Sequence, residues 1–337
     1  MKKKIMLSIV FTAALIFNVA AGNKLLNYIP ANIDGVVSIK IKQIMDVPIF
    51  KEKRSTDPKL KEQWTEFESE LKKYGLTVND MPTQAVIFFS KDKNLNGAVI
   101  KTSLSEAKFV EILKKAAADR PNLYTTRKLN GKTVYVMNEK LLQESNKSLK
   151  DSGTPALTFI AADIAIVSED KVLDSVINSI KGNTATVNTL MKKSTSVNHD
   201  ALIWLVFNNK DAGKTQQPGQ RPDMMDGITG VGLSLDFTGA KKRDLGLDAM
   251  VSCRDKNAAA GLSMQLQGLI MMGSAMAFKD NPQLGGEIGQ AIKIKPNGKS
   301  VSIKISVPET LGTKLQKYIE NKKSRKSKSR KVKNGRR

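Results

Sequence analysis

One histidine and one cysteine among 337 residues remove many functions at once. His199 has no second histidine with which to build a histidine pair, a His-rich metal centre or a relay through two imidazoles. A lone histidine can serve as a base, but this one lies in Ser196-Val197-Asn198-His199-Asp200, ahead of an apolar stretch. No Gly-x-Ser-x-Gly turn occurs in the chain, so His199 reads as a structural or surface residue. Cys253, followed by Arg254-Asp255-Lys256, has no partner for a disulfide within the chain. An activated thiol near a helix start is the functional alternative, and a packed side chain is the plainer reading.

Phosphate loops and metal clusters are also missing. The glycines of Gly227-Ile-Thr-Gly230-Val-Gly232 precede a strand pattern, whereas a phosphate-binding turn must follow a strand and open a helix. Leu284-Gly285-Gly286-Glu287-Ile288-Gly289 reads as a loop before the last hairpin. Glu66, Glu68 and Glu70 stand near Trp64 without an Asp or His cluster at ligand spacing, and read as the wet side of an amphipathic helix over roughly 59–74. No catalytic, cofactor-binding or metal-ligating residue is therefore assigned, and no cofactor is expected.

Apolar runs of membrane-spanning length are absent as well. The longest candidate in the body, Leu262 to Phe278, is interrupted by Gln265, Gln267, Gly268 and Gly273. Its residues Met264, Met271, Met272 and Met276, with Leu262, Leu266, Leu269 and Phe278, recur at near-helical spacing. They read as the core stripe of a long helix laid across a sheet, with an adaptable ligand groove as the alternative.

What is present at the start is MKKKIMLSIVFTAALIFNVAAG, with three lysines, an apolar run Ile5 to Phe17 and then small residues. That is the pattern of a secretory signal peptide over 1–22, cut after Ala21 or Gly22. A lipid anchor would need a cysteine at the new terminus, and Cys253 is far away. The expectation is an exported, unlipidated protein, periplasmic or extracellular, with no transmembrane segment in the mature chain.

At the other end, residues 321–337 carry Lys322, Lys323, Arg325, Lys326, Lys328, Arg330, Lys331, Lys333, Arg336 and Arg337, with no acid among them. These ten cations and the three N-terminal lysines leave +10 of the +23 net charge for residues 23–320. The body is thus moderately basic and the tail extreme, reading as a disordered segment. Such a tail displaces counterions from a polyanion, either a polysaccharide or a nucleic acid, giving salt-sensitive binding. No aromatic residue interrupts it, which argues against base stacking. A solubilising tail with no dedicated partner is the competing reading.

The body reads as α+β: two related halves of antiparallel sheet with packed helices, 23–183 and 184–320. Each half contains an early strand (35–41; 201–207), a strand pair (85–90 and 98–101; 231–237 and 245–253), a helix (opened by the capping-box pattern Ser103-Leu104-Ser105-Glu106 and running through Ala118; 256–278) and a hairpin turning at Asn-Gly. The turns are Asn130-Gly131 and Asn297-Gly298. A strand pair, 156–159 and 164–167, and a helix over 170–180 join the halves, and the order predicts an internal duplication. The hairpins alternate apolar and polar residues, predicting one buried and one wet face. Asn209 to Asp226, with Gln216-Gln217-Pro218-Gly219-Gln220-Arg221-Pro222, reads as a long surface loop.

Tyr28-Ile29-Pro30-Ala31-Asn32-Ile33-Asp34-Gly35-Val36-Val37, Met45-Asp46-Val47-Pro48-Ile49-Phe50, Lys73-Tyr74-Gly75-Leu76 and the ending Val307-Pro308-Glu309-Thr310-Leu311 together resemble a loose group of uncharacterised exported proteins from planctomycete-like bacteria. The resemblance implies a duplicated α+β fold and export. It carries no catalytic residue and does not extend to the basic tail. The combined expectation is an exported, non-enzymatic binding or structural protein of the bacterial envelope, of undetermined oligomeric state. The alternatives are an exported hydrolase with a cleft between the halves, or a secreted subunit of a larger assembly.

Overall fold

The computed structural model describes residues 24–30, 33–90, 95–138, 140, 153–180, 197–209, 227–239 and 241–334, with side chains up to Lys322. The segment read as a signal peptide, residues 210–226 of the segment read as a surface loop, and Arg336 with Arg337 lie outside the described residues. The chain divides into two compact units, 1–210 with 230–234 and 211–229 with 235–337.

In the first unit the strands lie in the order β8 (Ile203–Asn208), β1 (Gly35–Ile39), β2 (Gln84–Ser90), β3 (Leu95–Lys101), β7 (Ile164–Glu169), β6 (Pro155–Ala161), β5 (Lys132–Met137) and β4 (Tyr124–Leu129). Each of these neighbouring pairs is antiparallel. Helices α1 (Ile41–Asp46), α2 (Pro48–Thr56) and α3 (Pro58–Lys73) follow β1, α4 (Glu106–Asp119) joins β3 to β4, and α5 (Asp170–Ile180) follows β7.

This sheet is covered on both faces, which explains why Ala85 to Phe89 within β2 form a continuous apolar run. Successive β2 residues alternate between two cores. Ala85 packs with Phe109, Ile112 and Leu113 of α4 and with Leu71, Leu76 and Leu157. Val86 and Phe88 pack with Leu25, Ile29, Val99 and Ile166 and with Leu173 and Val176 of α5. The first hairpin departs from the expected single buried face. Val134 enters one core and Tyr135 with Met137 the other, because α4 and α5 cover β5 from opposite sides. Its turn is as the Asn-Gly pair dictates, with φ of 49° at Asn130 and 78° at Gly131.

The α4 start also differs from the sequence reading. Ser105 is the cap, accepting from the Lys108 amide at 3.3 Å. Glu106 is already inside the helix, so it does not close a capping box begun at Ser103. It accepts instead from the Tyr135 hydroxyl at 2.8 Å. Burial, and then this bond, push the Tyr135 phenol up to about 12. The folded value lies above the unfolded value of about 10. The resulting stabilisation is therefore whole below pH ~10 and lost as pH rises toward 12. A spectrophotometric titration should show a phenol step near pH 12, and Tyr135→Phe should remove it. A titration unchanged in Tyr135→Phe would contradict this assignment.

In the second unit the strand order is β11 (Ile292–Asn297), β12 (Ser300–Val307), β10 (Asp244–Cys253), β9 (Ile228–Thr238). Strand β9 is shared, its residues 230–234 belonging to the first unit. Here the hairpin has the expected one-sided pattern, with Ile294 and Val301 buried and Lys293, Lys295 and Lys304 exposed. Helices α6 (Lys256–Ala277), α7 (Pro282–Ala291) and α8 (Glu309–Asn334) complete the unit. Helix α7 replaces the loop read over 284–289. Asn281 caps it through the Leu284 amide at 3.2 Å and Pro282 occupies the first position, a combination strong enough to offset three internal glycines. Residues 321–334, read as disordered, continue α8 as helical backbone. The run contains no Pro or Gly and is rich in Lys and Arg, which are good helix formers.

Candidate functional site

The chemistry-bearing residues singled out from the sequence do not converge. His199 stands edge-on to Trp204, with ring centroids 4.8 Å apart, and burial pulls its imidazole below the usual histidine value. It serves as a packing partner for that ring. Cys253 is 5% exposed, and burial followed by the nearby Asp255 charge pushes its thiol up, the opposite of activation. Gly230 and Gly232 lie within strand β9. A Cβ on Gly232 would come 2.4 Å from Val197 Cγ2, so close packing accounts for that glycine.

Glu68 and Glu70 are engaged separately on α3. Glu68 accepts from the Trp64 indole at 2.9 Å, and Glu70 pairs with Lys73. The Arg54 guanidinium sits 4.3 Å from the centre of the Trp64 ring. Among the described residues no group of three or more His, Cys, Asp and Glu could hold a metal ion. An apolar cavity of about 80 Å³ under α4 is lined by Leu71, Leu76, Met81, Ile100, Phe109 and Ile112, and the polar residues at its wall bond locally, Asp80 accepting from Thr77 and Thr102 from the Leu104 amide.

The second unit presents a more unusual surface. The methionines of α6 are not the core stripe that their spacing suggests. Met264 is 68% exposed, Met271 73%, Met272 57% and Met276 70%, with Leu269 at 50%. The helix instead buries Ala259, Leu262 and Ser263, with Leu266 and Ile270 half-buried. At 100° per residue these five cluster on one side, and the methionines cover the other. Periodicity could not choose between the sides, because residues 257–278 hold no charge at all and the helix is apolar nearly all round.

The basic helix α8 is fastened beside the C-terminal end of α6. Its first turn is held by the Arg243–Glu309 ion pair and by the Glu309 amide donating to Asp244 Oδ1 at 3.0 Å. One turn on, Lys314 Nζ donates to both carboxylate oxygens of Glu287 on α7, at 2.8 and 2.7 Å. Tyr318 then packs at a tilt of 45° against Phe278, centroids 5.2 Å apart, and its hydroxyl donates to the Ala277 carbonyl at 3.1 Å. Lys322, the first cation of the tail, reaches that same carbonyl at 3.5 Å and lies 5.5 Å from the Tyr318 ring centre. A depression of about 330 Å³ between α7 and α8 is lined by Gln283, Leu284, Glu287, Lys314, Lys317 and Tyr318. Lys323, Arg325, Lys326, Lys328, Arg330, Lys331 and Lys333 follow on helical backbone.

These features define an α+β chain of antiparallel strands whose second unit carries an exposed apolar helix face next to a cationic terminal helix. No family model matches the chain, and no curated protein matches it. Among solved structures it is similar to crystal form III of TP0453, with 10% identity and a TM-score of 0.43 over 88% of this chain and 97% of that one. It is similar also to crystal form I, with 11% identity and a TM-score of 0.42 over 86% and 95%.

Proposed function

We propose that this is an exported, non-enzymatic binding protein of the bacterial envelope that holds anionic polymers through its C-terminal helix. The observation that carries the reading is the fastening of α8. Its root is tied to the second unit by Glu309, Lys314 and Tyr318, so the cations from Lys322 onward extend from a fixed point on the folded surface. The N-terminal signal pattern, and the resemblance to exported planctomycete-like proteins, support export. The order strand, strand, helix, hairpin in both units supports descent by duplication.

The test is binding of the mature chain, intact and cut after Asn321, to fragmented DNA and to an acidic polysaccharide over a salt series. If six to ten cations each neutralise a phosphate or sulfate, intact affinity should fall by roughly 10³- to 10⁵-fold between about 50 and 200 mM salt. The cut protein should bind weakly with a shallow slope. Equal binding by both forms would move the activity to the folded surface and end the tail reading.

A further inference from the structure

We infer that the exposed face of α6 and the adjoining cations of α8 form a docking surface for an anionic lipid bilayer. The inference rests on the reading of α8 as an anionic anchor and names a more specific partner for it. Soluble proteins seldom leave a contiguous apolar helix face in water, and one that persists marks a contact surface. Here the face runs from Met264 to Met276, over about three turns, with no charged side chain to break it. Methionine suits a fluid partner, since its flexible thioether adapts to an irregular apolar surface without a fixed pocket.

Charge selects the occupant. At the C-terminal end of this face Lys322 reaches the Ala277 carbonyl, which puts the first of the ten cations of the acid-free run 321–337 beside the apolar patch. An anionic bilayer offers both complements at once, acyl chains for the methionines and headgroup charge for the lysines and arginines. A second copy of the chain would cover the methionines while bringing two such cation runs into one complex, which charge repulsion opposes. The helix would lie in the interface plane, as no described helix is long and apolar enough to cross a membrane. Gln265 on the exposed side and Gly261, Gly268 and Gly273 along the helix accord with shallow seating.

The test uses the mature chain in three forms: intact, cut after Asn321, and Met264→Gln/Met271→Gln/Met272→Gln/Met276→Gln, whose changes are all at exposed positions. Binding is measured by co-sedimentation with phosphatidylcholine vesicles, with and without phosphatidylglycerol, and separately to a soluble acidic polysaccharide. The intact chain should prefer the phosphatidylglycerol vesicles. The fourfold variant should bind them at least about tenfold more weakly, because four apolar side chains no longer enter the interface, while its polysaccharide affinity stays unchanged. A Met271→Trp form, read as a difference from the two native tryptophans, should shift to the blue on these vesicles and be quenched by brominated acyl chains.

Unchanged vesicle binding by the fourfold variant, with no shift from Met271→Trp, would overturn the inference and leave the tail reading standing. Equal polysaccharide binding by the intact and cut chains would instead strike the tail reading. A concentration-dependent dimer that the fourfold variant abolishes, with vesicle binding unaltered, would assign the face to a second copy and also overturn the inference.

Discussion

Phe88→Ala should destabilise the first unit by about 3–5 kcal/mol, the usual cost of deleting a fully enclosed aromatic ring. Phe88 is 0% exposed and first by volume among the completely buried side chains. It lies on β2 between Val36 of β1 and Gly97 of β3, with the N-terminal residues Leu25 and Ile29 and helix α5 closing over the same core. The elements around it come from four separate stretches of chain, all held by sheet pairing or helix packing, so they cannot collapse far into the void. Trp204 belongs to the same cluster at 3% exposure, and its fluorescence reports on that core. Unfolding in urea, followed by this emission, should show the midpoint falling with the slope retained. In a thermal scan the loss corresponds to a drop of roughly 6–20 °C for a unit of this size. A loss under about 1 kcal/mol would mean that the ring does not fill the space between β1, β3 and α5.

Gly97→Ala is the complementary experiment, adding an atom where Phe88→Ala removes several. A Cβ at position 97 would stand 2.7 Å from Phe88 Cζ and 2.8 Å from the Val167 carbonyl oxygen. The ring can rotate or retreat. The carbonyl belongs to β7, whose Ser168 pairs with Gly97 itself, so it moves only if the ladder moves. Overpacking of this kind costs about 1–3 kcal/mol, and the rigid obstacle puts the expected loss in the upper part of that range. Combining the change with Phe88→Leu separates the two obstacles. The double variant should be more stable than the sum of single losses by about 0.5 kcal/mol or more, since the ring no longer opposes the new methyl. Strict additivity would mean that the Val167 carbonyl alone accounts for the cost.

Much of this architecture is legible in local patterns. The unbroken apolar run of β2, the two Asn-Gly turns and the helix over Pro58–Lys73 each follow from interactions within a few residues, which sequence spacing records directly. Asp57 shows the same thing at atomic scale, its carboxylate accepting from the amides of Lys59 and Leu60 to start α3. Features set by distant partners are not visible in this way. Nothing local in Lys132–Met137 reveals that helices from either side of the chain will bury both faces of β5. The cap and proline at Asn281-Pro282 did carry a helix signal, which the glycines that follow obscured. In α6 the uniform apolarity hid the side that meets the sheet, so the one surface most unlike an ordinary protein exterior looked like core. Of the candidate site, only the cationic run could be read from composition, while its fastening to Ala277 and Glu287 needed the fold.

The place of β1 bears on how the first unit is made. Gly35–Ile39 leaves the ribosome well ahead of one of its two partners, since it pairs on one edge with Gln84–Ser90 and on the other with Ile203–Asn208. For more than a hundred residues of synthesis that second edge has no strand to receive its amides and carbonyls. A nascent chain in this state exposes a short apolar ribbon of the kind that recruits strands from neighbouring molecules. Closure waits on one long-range pairing, which is a slow and late event in chain folding. Production of this protein is thus most vulnerable to aggregation before Asn208 emerges, and chains terminated ahead of β8 should accumulate as insoluble material.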